Sequence, residues 1–522
     1  MAAASLDIHE RFNVAEYFVD RQLTEAHADK PAILYRDRRL TYRDVAEQVN
    51  RVVNAFVRAG IGSGDRLLLL LPDSPAFVSA FWGAIKLGAV PVPVNTALPG
   101  NDYEFMLRDS GARGLVVHSS LLERVARCFR SPADVPDLAT VWVTDGSPAA
   151  DFRSFEAELE RSAPEAAAAG TRRDDPAFWL YTSGSTGRPK AAIHAHHDMI
   201  HCLHFYARQV LGITADDTTF STSKLFFAYG LGNSLYFPAG AGATTVLLPE
   251  KPTAERIFET INRYRPTIFF AVPAVYAAML QAAEVTPRLE LTSVRRAVSA
   301  GEALPVPLWE RFRKRFGISI LDGIGSTEML HMFISNRPDD VVPGSSGRLL
   351  PGYDARIVDE EEREVAEDQI GNLWIRGGSQ AAGYWNRAEL TRATFRAEWT
   401  VTGDKYWRDA RGYFWYCGRS DDMMKVAGLW VSPLEIESAL LDHPAVLECA
   451  VVGASDGDGL TRPKAFVVPK EPALRSSELG AEMRVFLRDR LPGYKIPRWV
   501  EVIESLPRTA TGKIQRFKLR QD

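Results

Sequence analysis

The most informative segment of the chain is Tyr181-Thr182-Ser183-Gly184-Ser185-Thr186-Gly187-Arg188-Pro189-Lys190. The apolar run just before it, Phe178-Trp179-Leu180, predicts a short buried strand. Glycines let the backbone turn tightly and approach a ligand closely, so that several N–H groups can point at one anion. The hydroxyls add further donors, and Lys190 adds a mobile positive charge. The segment therefore predicts a loop that binds a polyphosphate.

This segment differs from the P-loop of ATPases. That motif requires four residues between its glycines and a Lys-Ser or Lys-Thr pair directly after the second glycine. Here Gly184 and Gly187 lie too close together. The alternative interpretation is a Ser/Gly linker or surface turn. A linker rarely lies between an apolar strand and an Arg-Pro-Lys ending, so the phosphate loop is favoured.

Length and composition set broad limits on the protein. At 522 residues the chain exceeds a single ordinary hydrophobic core, so two or more domains are expected. An apolar content of 46% and a charged content of 25% are typical of a soluble globular protein. The net charge of −4 argues against general nucleic-acid binding, which needs a basic face.

The sequence also predicts a cytoplasmic protein that does not associate with membranes. Its N-terminus lacks the basic-then-apolar pattern of a signal peptide. The most membrane-like run, residues 76–94, is interrupted by Lys86, Pro91 and Pro93, so a buried helix followed by a strand is expected. The cysteines lack metal-ligand spacing, suit a reducing compartment and are expected to pack as small apolar residues. They are Cys128, Cys202, Cys417 and Cys449.

Strand patterns alternate with helical patterns along most of the chain, which predicts parallel sheet and an α/β architecture. Thr41 is a candidate N-cap for a helix that ends near Ala59. Further helices are predicted at 76–87 and 198–210, and strands at 66–71, 89–94, 114–118, 244–248, 267–272, 294–299 and 318–321.

After Gly347 the pattern changes to short strands and turns, which predicts a small β-subdomain. Residues 422–522 alternate strands and helices and are long enough to build a core of their own. The predicted fold is therefore α/β. A large N-terminal domain of stacked α/β sheets with the small β-subdomain (1–420) is hinged to a smaller α+β C-terminal domain (421–522).

The segment 181–190 resembles the phosphate-binding signature of the adenylate-forming superfamily. That superfamily comprises acyl-CoA synthetases, peptide-synthetase adenylation domains and firefly-type luciferases. Five further segments match it in the same order, so the resemblance covers nearly the whole chain. They are 299–304, 322–328, 402–404, 418–422 and 507–514.

The resemblance implies a nucleotide site assembled from these segments. Asp322 is expected to accept a hydrogen bond from the adenine amino group, and Asp404 to accept from both ribose hydroxyls. Arg419 is expected to contact ribose and phosphate. The residues expected to bind ATP or AMP are Thr182, Ser183, Gly184, Ser185, Thr186, Gly187, Lys190, Gly301, Glu302, Ala303, Asp322, Gly323, Ile324, Thr327, Asp404, Arg419 and Lys513.

Three of these residues, Lys190, Thr327 and Lys513, are also candidates for a catalytic role, and Glu328 is a fourth candidate. Thr327 is expected to contact the α-phosphate, and Lys513 to stabilise negative charge that develops when a carboxylate attacks the α-phosphorus. Glu328 is the expected ligand of Mg²⁺, because that ion prefers one or two carboxylates together with phosphate oxygens and water.

Four of the five further segments also have an interpretation without a function. Residues 299–304 resemble a strand-to-helix turn, Glu328 suits a helix start, and the pair 403–404 suits an ordinary turn. Lys513 has the alternative of a solvated tail lysine. The occurrence of all the segments in the superfamily order favours the functional interpretation.

The implied chemistry has two halves. A carboxylate and ATP first give an acyl-adenylate and pyrophosphate, and a thiol then attacks the activated carbonyl. In the superfamily the C-terminal domain rotates between the halves. By resemblance, Asp421 is the expected hinge and Gly428 the residue brought to the thiol tunnel.

Segments 224–233 and 322–331 closely resemble bacterial benzoate-CoA ligases, as do 402–406 and 512–519. The resemblance implies an aromatic acid in a flat slot, for which the glycines at 323 and 325 leave space and Tyr229 offers an aromatic wall. The expected lining is Phe227, Ala228, Tyr229, Gly230, Ala300, Gly325 and His331.

Two positions, 227 and 331, leave open which aromatic acid is the substrate. Phe227 replaces a histidine that gates the carboxylate in many acyl-CoA synthetases, which argues against gating by histidine. His331 has two interpretations, a contact to a ring substituent or a histidine at a helix start without a ligand role. An apolar slot rejects an added polar group only weakly, so amino- and hydroxybenzoates stay open alongside benzoate.

The predicted function is thus an aryl-CoA ligase that uses ATP, Mg²⁺ and coenzyme A as a monomer or homodimer. One alternative acceptor is the phosphopantetheine arm of a carrier protein. A firefly-type oxygenation and a non-catalytic nucleotide-binding relative are further alternatives. The presence of Lys190, Glu328, Asp404, Arg419 and Lys513 argues against a relative that has lost catalysis.

Overall fold

The computed structural model describes residues 6–25, 27–126, 135, 137–146, 151–183, 189–285, 289–426, 429–456, 460–471, 477–508 and 514–520. Strands β1 to β16 are Pro31–Tyr35, Arg38–Thr41, Arg66–Leu70, Val90–Pro93, Gly114–His118, Thr140–Thr144, Arg153–Ser154, Pro176–Ser183, Pro189–Ala195, Thr218–Ser221, Thr244–Val246, Ile268–Ala271, Arg296–Ser299, Ile320–Gly325, Met332–Ser335 and Arg348–Leu349. Strands β17 to β27 are Tyr353–Val358, Gly371–Gly377, Gly383–Tyr384, Phe395–Arg396, Trp399–Arg408, Phe414–Arg419, Met424–Val426, Leu429–Val431, Val446–Ser455, Thr461–Pro469 and Trp499–Val502.

Helices α1 to α16 are Arg21–Thr24, Tyr42–Arg58, Pro75–Leu87, Gly100–Ser110, Leu122–Ala126, Phe155–Glu160, Asp198–Cys202, Ala228–Leu231, Phe237–Ala241, Ala254–Tyr264, Pro273–Val285, Val306–Phe316, Ala388–Thr394, Pro433–Leu441, Ser477–Arg488 and Arg516–Leu519. Among the described residues, the π-helical segments are Glu16–Asp20, Leu203–Leu211 and Gly232–Tyr236. The short 3₁₀ turns in the same ranges are Ser119–Leu121, Thr327–Met329 and Gly493–Lys495.

The N-terminal domain contains two large sheets. One has nine strands in the order β16-β15-β14-β13-β12-β10-β11-β1-β2, and the other has five in the order β4-β3-β5-β6-β7. The five-stranded sheet is parallel throughout. The nine-stranded sheet is parallel from β14 to β1 and antiparallel at both edges. The α/β prediction is confirmed, although the larger sheet is mixed.

Two small sheets lie beside these among the described residues, one of three strands in the order β19-β9-β8 and one of the two strands β23 and β24. Two further parts correspond to units predicted from the sequence. The small β-subdomain is a five-stranded sheet of β17, β18, β20, β21 and β22. The smaller C-terminal domain has a three-stranded sheet, β25-β26-β27, whose apolar face packs with α14 and α15 into a core of its own. Both parts agree with the prediction.

Local signals in the sequence have their expected effect. Thr41 caps α2, because its hydroxyl accepts from the backbone N–H of Asp44, whose carboxylate accepts in return from the N–H of Thr41. The membrane-like run forms the buried helix α3 and strand β4, as predicted. Within the part of the chain that the structure describes, no helix is long and apolar enough to cross a membrane.

Two elements differ from the prediction. The helix predicted over 198–210 is α-helical only to Cys202 and continues as a π-helix to Leu211. Strand β14 extends to Gly325, so Asp322 and its glycine neighbours lie within a strand and not after its end. The buried cysteines Cys202, Cys417 and Cys449 are free, as expected, whereas Cys128 lies outside the described residues.

Candidate active site

The predicted phosphate loop joins two antiparallel strands. Strand β8 ends at Ser183 and β9 begins at Pro189, with Thr182 directly opposite Lys190. We expected Lys190 to lie in the loop, but the structure places it in β9. The run that follows it, residues 191–195, continues the strand and pairs with β8 and β19. Residues Gly184, Ser185, Thr186 and Gly187 lie outside the described residues.

Lys190 lies beside Glu328 and Tyr384. Its Nζ is 3.4 Å from Glu328 Oε1 and donates to the Tyr384 hydroxyl at 2.6 Å. The same hydroxyl donates to Glu328 Oε1 at 2.5 Å, and the ammonium lies 4.0 Å from the Tyr384 ring centroid. The Lys190 and Glu328 side chains are each only 16% exposed. The three groups form one closed hydrogen-bonded cluster.

The electrostatics of this cluster keep Glu328 charged. Burial disfavours a carboxylate, but the Lys190 ammonium and the Tyr384 hydroxyl outweigh it and lower the pKa of Glu328 below its ordinary value. Burial and the neighbouring carboxylate raise the pKa of the Tyr384 phenol, so it remains a hydrogen-bond donor. No sequence pattern pointed to Tyr384, because β19 has only two residues and no recognisable motif surrounds it.

Asp322, the residue expected to contact adenine, lies on strand β14. It pairs in register with Ser299 at the end of β13, which leads into residues 300–304. The side chain is buried, and its Oδ1 has no hydrogen-bond partner among the described residues. Burial raises the pKa of Asp322 to about 8. An unpartnered buried acceptor fits the expected contact to an adenine amino group. Gly301, with φ 96°, turns the chain just after Ala300, ahead of Glu302 and Ala303.

The predicted ribose-binding residues lie next to each other. Asp404 on β21 is directly opposite Arg419 on β22, and Arg419 Nη1 donates to Asp404 Oδ1 at 3.1 Å. The Asp404 carboxylate raises the pKa of the Arg419 guanidinium. The structure thus joins two residues that lie in different sequence segments. Asp421 follows in an exposed turn, and Gly428 lies outside the described residues.

Two of the residues expected to line the acid slot, Tyr229 and His331, come together. The rings of Tyr229 and His331 are 5.5 Å apart, and the Tyr229 hydroxyl donates to the carbonyl of Val298, two residues before Ala300. Phe227 precedes helix α8, which carries Ala228 and Gly230. Gly325 on β14 pairs with Met332, directly after His331.

His331 is 3% exposed and packs among aromatic rings. Its Nε2 lies 3.2 Å from Asn233 Oδ1, and burial lowers its pKa to about 3, which keeps the ring neutral. The suggestion that His331 begins a helix is wrong, because it directly precedes strand β15. Asn233 is a buried neighbour that the sequence analysis missed.

The structure explains why β14 has glycine at positions 323 and 325, which the sequence did not reveal. A Cβ at Gly323 would lie 2.7 Å from the Ile334 carbonyl oxygen, and a Cβ at Gly325 would lie 2.5 Å from that of His331. Both glycines therefore let β14 approach the backbone that follows it. Ile324, between them, is partly exposed.

Lys513 lies outside the described residues, so its predicted position remains an expectation. The neighbouring helix α16 is anchored instead. Arg516 donates to both oxygens of Glu437, at 2.9 and 2.8 Å, and Arg520 donates to Asp422, one residue after Asp421. The end of the chain is thus tied to the region just after the small β-subdomain.

Comparison with known proteins agrees with this architecture. Residues 19–385 match the family of AMP-binding enzymes, and residues 435–513 match the C-terminal domain of AMP-binding enzymes. A benzoate–CoA ligase of Thauera aromatica is 47% identical over 518 residues, which cover 99% of this chain and 97% of that protein. A 4-hydroxybenzoate–CoA/benzoate–CoA ligase of Rhodopseudomonas palustris is 43% identical over 516 residues, covering 98% of this chain and 94% of that protein.

A solved structure extends the likeness to the whole fold. The crystal structure of the anthranilate CoA ligase AuaEII in complex with anthranoyl-AMP superposes with a TM-score of 0.94 and 42% identity, covering 99% of this chain and 98% of that one. The fold is therefore that of an adenylate-forming enzyme. Within that class, the chain belongs to the benzoate–CoA ligase family of AMP-binding enzymes.

Proposed function

We propose that this protein activates benzoate or a ring-substituted benzoate as an acyl-adenylate and transfers the acyl group to coenzyme A. The chain is an AMP-forming acid–CoA ligase that uses ATP and coenzyme A. The observation that carries the assignment of the site is the cluster of Lys190, Glu328 and Tyr384 beside the phosphate-loop hairpin. It provides a cation and an ionised carboxylate where the strand–loop–strand motif predicts polyphosphate.

The first half-reaction depends on positioning and on neutralising charge. The acid's carboxylate oxygen attacks the α-phosphorus, the bond to pyrophosphate breaks, and the aroyl-adenylate forms. Lys190 offsets phosphate charge, and Thr327 is proposed to contact the α-phosphate. Lys513 is proposed to stabilise the charge that develops during attack. In the second half the coenzyme thiol attacks the aroyl carbonyl, and AMP leaves.

The donor groups fit Mg²⁺ that arrives with the nucleotide. No group of three or more histidine, cysteine, aspartate or glutamate side chains that could hold a metal occurs within the described ranges. Glu328 instead offers one ionised carboxylate, which matches the preference of Mg²⁺ for few carboxylates plus phosphate oxygens and water. When bound, the ion would neutralise phosphate charge; Glu328 would hold it, while Tyr384 keeps that carboxylate oriented.

We propose that the acid's ring lies between Tyr229 and the β14 strand around Gly325. Tyr229 supplies an aromatic face, and the neutral His331 supplies a polar atom at its side. His331 Nδ1 and Asn233 Nδ2 have no partner within the described residues. This supports acceptance of amino- or hydroxybenzoates alongside benzoate. Consistent with this, the relatives are named for benzoate and 4-hydroxybenzoate, and AuaEII holds anthranoyl-AMP.

We also propose that the domains divide at 420/421 and that the C-terminal domain alternates between two positions about Asp421. The exposed turn at Asp421, the separate core that begins at Met424 and the anchoring of α16 support this division. In one position Lys513 would serve adenylation, and in the other Gly428 would line the thiol tunnel. Asp421→Pro should impair the two half-reactions unequally. Equal loss of both in a folded variant would contradict alternation.

The direct test is acid-dependent release of pyrophosphate from ATP and Mg²⁺, with and without coenzyme A. The acids are benzoate, 2-aminobenzoate, hydroxybenzoates, cinnamates and medium-chain fatty acids. Turnover on small benzoates with matching thioester is expected. Release that stops after one equivalent despite coenzyme A would indicate a carrier protein as acceptor. Absence of release would identify a non-catalytic binder. Monomer or homodimer state and cytoplasmic location remain predictions from the sequence.

A further inference from the structure

The turn that carries Thr327 and Glu328 is fixed by hydrogen bonds from residues outside it. Directly after it, Leu330 adopts φ 65°, a conformation that is strained for a residue with a branched side chain. Such a backbone conformation persists only where contacts with the surrounding structure hold it in place. The Thr327 carbonyl lies 2.8 Å from His194 Nε2, and the Glu328 carbonyl accepts from the N–H of Ala381 at 2.8 Å.

The next carbonyl is held in the same way. Ser379 Oγ donates to the Met329 carbonyl at 2.8 Å, and its own oxygen lies 2.8 Å from the Tyr353 hydroxyl. Three successive carbonyls, 327 to 329, are thus fixed by three different residues outside the turn. Of these anchors, only the one to Thr327 comes from the phosphate-loop hairpin.

That anchor is His194, which is fully buried on β9, the strand that carries Lys190. A carbonyl can only accept, so His194 Nε2 is the donor in its contact with Thr327. On the other side, Nδ1 lies 2.7 Å from Asp198 Oδ2, which also accepts from the backbone N–H of Ala195. The ring of Phe178 stacks on the imidazole, with centroids 5.1 Å apart.

Asp198 and Phe178 leave the imidazole one orientation, with Nε2 directed at Thr327. Among the described residues, no hydrogen bond or ion pair joins His194 to the side chain of Lys190 or Glu328, so its effect has to pass through the backbone. The imidazole connects the strand of Lys190 to the turn that carries Glu328. A carboxylate that orients a histidine is a recurrent way of fixing the geometry around a metal site.

We propose that His194, held by Asp198, is a positioning residue that places Thr327 and Glu328 against Lys190 for binding of the nucleotide with its Mg²⁺. This rests on the proposed function of the site. Its consequence is specific: loss of the contact to Thr327 weakens the binding of Mg²⁺·ATP more than that of ATP alone. It also impairs adenylation more than thioester formation.

Two amide variants separate the contacts of His194. In His194→Gln the amide nitrogen reaches about as far as Nε2 and keeps the donor to Thr327. In His194→Asn the shorter side chain reaches Asp198 but not Thr327. Calorimetric titration of acid-free enzyme with ATP, in Mg²⁺ and in EDTA, gives the gain in affinity due to Mg²⁺. We expect His194→Asn to lose about tenfold or more of that gain and His194→Gln to retain most of it.

Kinetics provide the second readout. For His194→Asn the Mg²⁺ concentration that half-saturates pyrophosphate release should rise by about 10- to 100-fold. Thioester formation from supplied aroyl-adenylate should change much less. His196→Asn is the matched control, because His196 is equally buried two residues away and contacts the backbone N–H of Val14 instead. It should lower the melting temperature without altering the Mg²⁺ dependence.

The outcomes are distinguishable. If the wild type releases no acid-dependent pyrophosphate, the proposed function fails. If it does, and both amide variants show the same Mg²⁺ dependence, the role of His194 is refuted while the function stands. An equal shift in His196→Asn also refutes it. If neither amide variant folds, Asp198→Asn replaces them, since it loosens the ring yet leaves it in place; an unchanged Mg²⁺ dependence there would overturn the proposal.

Discussion

The two ends of the proposed site are built in opposite ways. At the phosphate end, Lys190, Glu328 and Tyr384 each bind the other two, and two of them carry charge. At the acid end, His331 and Asn233 are buried and neutral, and His331 Nδ1 and Asn233 Nδ2 have no partner within the described part of the chain.

The difference reflects what each end has to recognise. Polyphosphate is the same in every reaction cycle. A preformed set of charges therefore lowers the barrier to adenylation without restricting the range of acids that the enzyme accepts. An aromatic acid offers mainly apolar ring surface and a single substituent. The shape of the slot and a few polar atoms therefore decide which acid binds. Changes at the phosphate end should therefore alter rates for all acids alike, whereas changes at the acid end should alter the ranking of acids.

The largest effect is expected from Lys513→Ala. Removal of the proposed charge donor should lower adenylation by on the order of a hundredfold or more for every acid tested. Thioester formation from supplied aroyl-adenylate should be spared. Lys518→Ala, which removes an exposed lysine of helix α16, is the control. Equal loss of both half-reactions in Lys513→Ala would rule out its assigned role.

Tyr384→Phe should have the next largest effect. It removes only the hydroxyl that links Lys190 to Glu328, and loss of such a supporting contact costs about 10- to 100-fold. The decrease in pyrophosphate release should be the same for benzoate and 2-aminobenzoate. Tyr103→Phe removes a buried hydroxyl bonded to Asn95 and Leu98, far from the cluster along the chain, and should change neither rate. A change in the order of preferred acids in Tyr384→Phe would contradict the conclusion that the phosphate end affects all acids alike.

His331→Leu tests the acid end. We expect the ratio of kcat/KM for 2-aminobenzoate to that for benzoate to fall by about tenfold, because a polar partner of the substituent is lost. Adenylation of benzoate should persist. His204→Leu, on the partly exposed side of the Leu203–Leu211 π-helix, is the matched control. An unchanged ratio in His331→Leu would support a purely structural histidine.

The smallest effect concerns stability and its pH dependence. Burial raises the pKa of Asp322 from its ordinary 3.8 to about 8, so the folded state favours the neutral carboxyl. The stability this brings is complete below about pH 4 and is lost as the pH rises towards 8. Asp322→Asn should therefore melt a few degrees higher than the ligand-free wild type at pH 8, and at the same temperature at pH 4. An equal difference at both pH values would contradict the assignment.

Much of the fold was predictable because the signals are local. A capping residue such as Thr41 and a run of alternating elements act over a few residues, and each had its expected effect. The exceptions arise where distant segments meet. Lys190 lies in a strand because β8 and β19 pair with residues 191–195, and neither pairing is visible in that run.

The amino-acid sequence by itself established the class of protein, the order of its segments and the residue types that carry the chemistry. Charge and hydrogen-bonding capacity belong to individual side chains and can be recognised wherever they occur. Tertiary structure decided which groups meet: Tyr384 with Lys190, Asn233 with His331, and His194 with the carbonyl of Thr327. These contacts join residues between 98 and 194 positions apart, and their distances and protonation depend on burial and packing that no local pattern encodes.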